Sequence, residues 1–90
     1  MTTSKKHAAF TNEPMRDKDV STLPGVGPAL GPRLIEKGYN KAYHVLGMYL
    51  CLDNEEKFKQ WFRETAQTNN AKYANDCYNC LREWCDKYIN

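Results

Sequence analysis

Apolar residues recur along this chain at the three- and four-residue spacing of helices, and no stretch alternates with period two for long. Phe58, Trp61, Phe62 and Thr65 fall at i, i+3, i+4 and i+7, a stripe that a helix turns toward a core. Cys77, Cys80, Leu81, Trp84, Cys85 and Tyr88 mark a similar face further on. The pattern predicts an all-α domain spanning residues 1–90. Its first helix runs from a Ser4 N-cap to about Asn12, and Glu13-Pro14 ends it because the residue before proline is pushed out of α geometry. A polar connection over 14–19 carries Met15 as an anchor. Val20 to Pro24 forms a short arm, Pro28 to Lys37 a second helix, and Gly38 its C-terminal cap. Asn40 starts a third helix over Lys41 to about Leu52. Asp53-Asn54, or Asn54 itself, caps a fourth with Glu55 and Glu56 in its first turn. The run Gln67 to Asn70 breaks that helix, and Asn69 or Asn70 caps the last.

The third helix is unusual. From Ala42 to Leu52 nearly every position is apolar, which a helix tolerates only when covered on all sides. Ninety residues rarely enclose a helix so completely. One side is therefore expected to pack inside the monomer and another to meet a partner surface, such as a second copy. A wholly internal core helix is the other reading.

The stretch from Val20 to Ile35 organises the chain. Val20 and Leu23 precede Gly25-Val26-Gly27, and Leu30, Leu34 and Ile35 follow at helical spacing. Glycine supplies the positive φ of a tight turn, and Pro28 suits the first position of a helix. Small Gly31 would let two helices approach closely. The whole looks like a helix-hairpin-helix motif, whose outward N–H groups suit a phosphate and so bind the DNA backbone without base preference. A corner that merely packs is the competing reading. Pro32 fits poorly, since it removes a backbone bond and crowds the Pro28 carbonyl, so the second helix begins late or kinks.

Charge changes this picture little. The net charge is +2, with Lys5, Lys6, Arg33, Lys37 and Lys41 in the first half and an acidic spot at Asp53, Glu55 and Glu56. Lys72 stands at the start of the last helix, where it could meet a second phosphate. No apolar run is long enough to span a bilayer, and the N-terminus does not read as a signal peptide, so an intracellular chain with four reduced cysteines is expected. Cys77-x-x-Cys80 lacks a second ligand pair, which favours buried core thiols over metal or redox chemistry. No cofactor site, nucleophile triad or carboxylate dyad is legible, and an enzyme is not expected. Thr2, Thr3 and Ser4 directly precede Lys5-Lys6; a phosphate there would set negative charge beside a helix that could touch DNA, although these residues alone favour a simply polar, disordered start.

Met-Thr-Thr-Ser-x-Lys-His at the start, Glu13-Pro14-Met15, Gly25-Val26-Gly27, Lys41-Ala42-Tyr43 with Val45-Leu46-Gly47, and Cys80-Leu81-Arg82-Glu83-Trp84-Cys85 together resemble one family over essentially the full length, the barrier-to-autointegration factor. The resemblance implies a compact five-helix homodimer. It implies DNA binding through Gly25, Val26, Gly27, Ala29 and Leu30, assisted by Lys6, Arg33, Ala71 and Lys72, with two sites per dimer that bridge duplexes. It also implies a dimer and partner face at Tyr43, Leu46, Gly47, Leu50 and Cys51 that serves LEM-domain proteins of the inner nuclear membrane and lamins, with histones a further candidate. Phosphorylation at Thr3 and Ser4, by kinases similar to the vaccinia-related group, would be the off switch. The implied setting is chromatin, nucleus and nuclear envelope, and also cytoplasm. Pro32, Asp53-Asn54 and Asn75 depart from the family pattern and imply lower DNA affinity. An interaction adaptor with weak or lost DNA binding is the alternative.

Overall fold

The computed structural model describes residues 4–89, so Thr2 and Thr3 lie outside the described residues. Among those described there are five α-helices and no strand: α1 (Lys5–Thr11), α2 (Leu30–Glu36), α3 (Ala42–Leu52), α4 (Glu55–Ala66) and α5 (Ala71–Tyr88). A single 3-10 turn, Val20–Thr22, takes the place of the hairpin's expected first arm.

The caps explain most of the boundaries. Ser4 accepts the His7 amide, Asn54 that of Lys57 and Asn70 that of Lys72, each satisfying a donor that a helix N-terminus leaves over. Glu55 and Glu56 occupy the first turn of α4, where the helix dipole favours them. One boundary takes the late start that Pro32 suggested, and one differs from expectation. The second helix starts at Leu30 rather than Pro28, because Pro32 has no N–H to give the Pro28 carbonyl. One helical bond, Gly31 N–H to Gly27 carbonyl at 2.8 Å, precedes it. The N-cap of α3 is Lys41 rather than Asn40. Its amide donates to His44 Nδ1 at 3.1 Å, which gives that histidine a structural job.

One buried cluster gathers residues from every helix. Phe58, Phe62 and Ala66 point inward from α4, and Ala74, Cys77, Cys80, Leu81, Trp84 and Cys85 from α5. Met15 is buried as the anchor of its polar loop. Tyr88 leaves the core face and stays partly exposed, its ring 5.0 Å from that of Trp84. Helix α5 packs against α1, α3 and α4 and so serves as the frame. Its far end holds α1 and the following loop through Lys87 Nζ to the Thr11 carbonyl (3.1 Å) and Trp84 Nε1 to the Glu13 carbonyl (3.2 Å).

Helix α3 buries only Ala42 and Val45 fully. Tyr43 is 46 % and Leu50 50 % exposed, with Gly47 and Cys51 on the same open surface and Leu46 partly covered. The wholly internal alternative is therefore set aside: half of this apolar helix faces outward.

Cys77, Cys80 and Cys85 lie in the core, and burial pushes all three thiols up, Cys80 to about 12. The thiolate is the reactive form. A thiol reagent at pH 8 should therefore leave Cys77, Cys80 and Cys85 of the native protein unmodified and reach them only after denaturation. Prompt reaction of more than one thiol would contradict this packing.

Candidate nucleic-acid interface

Val26 fixes the hairpin. It is wholly buried between its two glycines, an apolar plug that draws the turn onto the core and is worth about 1.5–3 kcal/mol. Gly25 takes φ +85°, the left-handed region that glycine enters without a Cβ penalty. A side chain there would also collide with α5: a Cβ would lie 3.0 Å from the Tyr73 carbonyl carbon and closer still to its oxygen. The turn and the first turn of α5 are thus in main-chain contact. Gly27 differs, since a Cβ added there meets nothing within 4 Å. Gly31 is not a close-approach point either; its Cβ would make ordinary contacts at 3.9 Å with Ser21 and Val26.

The contact opens a cleft of about 320 Å³ between the hairpin and the starts of α1 and α5. Lys6, Gly25, Val26, Gly27, Ala29, Leu30 and Lys72, seven of the residues expected to meet DNA, all line it. Lys6 Nζ donates to the Val26 carbonyl at 2.6 Å, which ties α1 to the hairpin, and partial burial lowers its pKa below the usual lysine value. The amides of Gly25, Gly27, Ala29 and Leu30 have no acceptor among the described residues. Ala71 is the first residue of α5, exposed beside Lys72. Arg33 is held elsewhere: Nη1 donates to the Ala66 (3.2 Å) and Gln67 (2.8 Å) carbonyls and caps the C-terminus of α4.

Sequence reasoning missed three lining residues, Pro28, Tyr73 and Asp76. Asp76 matters most, because its carboxylate pairs with Lys72 Nζ at 2.9 Å and raises that lysine's pKa. The i, i+4 spacing of Lys72 and Asp76 was the available signal. A ring of unpaired N–H donors with two ammonium groups nearby can hold phosphate oxygens. No group of three or more potential metal ligands gathers among the described residues.

Gly25→Ala should cost about 2 kcal/mol or more, read as a fall in melting temperature of roughly 10 °C, whereas Gly27→Ala should melt within about 2 °C of the parent. Equal melting of the two variants would refute the main-chain contact.

The model of the family described as barrier to autointegration factor matches residues 1–88. The chain is 52 % identical over 88 residues to barrier-to-autointegration factor A of Xenopus laevis, covering 97 % of each. It is 49 % identical over 90 residues to the human barrier-to-autointegration factor, covering 99 % of this chain and 100 % of that one. With that of Drosophila melanogaster it shares 48 % over 88 residues. A full-length match at this identity, on a fold that presents the hairpin as described, places the chain in the barrier-to-autointegration factor family.

Proposed function

We propose that this chain binds double-stranded DNA by its backbone, without base preference, through the hairpin and the starts of α1 and α5. The observation that carries the reading is the cleft: main-chain donors at Gly25, Gly27, Ala29 and Leu30 beside the ammonium groups of Lys6 and Lys72. Phosphate oxygens are acceptors only, so they match a surface of N–H donors. Main-chain donors held by a rigid turn orient a strand and read no base edge. The lysines supply the salt-dependent part.

Residues 1–90 act as one domain and as a homodimer, through the α3 surface of Tyr43, Leu46, Gly47, Leu50 and Cys51. Its support is an apolar helix left half uncovered. Two DNA sites on one dimer make the second contact effectively intramolecular, which favours bridging and chromatin compaction. LEM-domain proteins and lamins at the nuclear envelope dock in a groove that spans the dimer along this α3 face, and histones are a further partner. No helix among the described residues is long and apolar enough to cross a membrane, so envelope attachment comes through such partners. The role is one of binding, with no cofactor, in the nucleus and at times the cytoplasm. A kinase acting on Thr3 and Ser4 turns it off. Ser4 caps α1 two residues before Lys6, so a phosphate there sets charge of about −2 beside the cleft's ammonium.

Fluorescence anisotropy with two unrelated duplexes at several salt concentrations tests the reading. Both should bind equally, with a log–log salt slope of roughly −2 for the two lysines. Absence of binding at low salt would leave the adaptor alternative standing. In the same assay Asp76→Asn should tighten binding about two- to fivefold at low salt, since it frees Lys72 and removes a charge that repels phosphate. Unchanged or weaker binding would show that Asp76 does not face the DNA.

A further inference from the structure

Tyr73 is the one aromatic side chain lining the cleft. It is the third residue of α5 and 39 % exposed. The other exposed tyrosines are engaged: Tyr43 meets the His44 ring at 4.7 Å and Tyr88 stacks on Trp84. The Tyr73 ring joins no such pair, and its hydroxyl makes no hydrogen bond among the described residues. Its main chain, in contrast, is held tightly. The amide donates to the Asn70 carbonyl at 3.3 Å, and the carbonyl is the atom against which Gly25 packs. A rigid backbone therefore presents an unused ring and an unused hydroxyl beside the free amide donors of the turn, next to Lys72.

We propose that Tyr73 is a DNA-contacting residue that meets the sugar-phosphate strand between the hairpin donors and Lys72. Its ring lies against a deoxyribose, and its hydroxyl donates to a phosphate oxygen. The assignment rests on the reading of the cleft as a DNA-backbone site. An aromatic with an apolar body and a polar tip suits a strand that alternates sugar faces with anionic oxygens. Sugars and phosphates repeat identically along any duplex, so the contact adds affinity without sequence preference. It also carries no charge. A neutral contact releases no counterion, so its contribution persists at salt concentrations that erase that of the lysines. In a chain of net charge +2, with Asp76 drawing on one of the two cleft lysines, such a contact is a means of holding DNA that charge does not supply.

The experiment compares the parent protein with Tyr73→Ala, Tyr73→Phe and Lys72→Ala on one duplex across a salt series, with melting temperatures recorded for each. Tyr73→Ala should weaken binding about tenfold at every salt concentration and leave the salt slope unchanged. Tyr73→Phe should retain most of the affinity, because it keeps the ring. Lys72→Ala should make the slope shallower by about one. Parental affinity in Tyr73→Ala, a changed slope in that variant, or a Tyr73→Phe loss as large as that of alanine would each overturn the assignment. If the parent protein binds no duplex at low salt, the DNA reading itself fails, and the sugar contact fails with it.

Discussion

The main-chain contact between Gly25 and the carbonyl of Tyr73 is the constraint on which the rest of this structure depends. It requires a residue with no side chain and a positive φ, and it brings two segments nearly fifty positions apart into one surface. Helix α5 is buried along one face by α1, α3 and α4, so the turn seated on its first residues inherits the rigidity of the core. Val26 holds the turn from below, and Lys6 holds it from the side through the Val26 carbonyl. Donors fixed in this way would need no ordering on meeting a phosphate, which is what suits a cleft with few charges to the proposed strand binding.

Much of this arrangement is local and therefore visible in the sequence. Ser4, Asn54 and Asn70 announce their helices through the hydrogen bonds that short polar side chains make with amides two or three residues on. Of the stripe that helical period marked, Phe58 and Phe62 are buried while Trp61 and Thr65 are only partly covered, and Ala66 joins the inward face instead; the buried thiol face of α5 follows from the same period. Gly25-Val26-Gly27 marks its own turn. The start of α2 was less legible, because Pro28 and Pro32 send opposite signals and the missing N–H of Pro32 decides the matter. Lys41 was missed as the α3 cap because the bond there runs backward, from its amide to the His44 ring.

What the pattern could not show is tertiary. Basic residues near the motif look alike in sequence, yet Lys6 reaches the cleft while Arg33 turns to the carbonyls that end α4. Nothing in the neighbourhood of Tyr73 distinguishes it from other helix-surface tyrosines until its carbonyl is found against Gly25. The two glycines of the hairpin also part company only in three dimensions: Gly25 is dictated by the fold, and Gly27 has no internal contact that demands it. The open side of Gly27 faces the cleft, and close approach by an external backbone is the physical account that remains for its small size. The uncovered face of α3, in contrast, was foreseen from composition alone, since an all-apolar helix outruns what ninety residues can bury.

The most direct test of the central claim is to follow the backbone amide resonances of the isotopically labelled chain while short duplex DNA is added. The account predicts that the largest shifts fall at Gly25, Gly27, Ala29, Leu30 and the first residues of α5, while Gly47, Leu50 and Cys51 on the α3 face stay in place. Shifts concentrated on α3, with the hairpin amides unmoved, would contradict it and make the hairpin a packing corner.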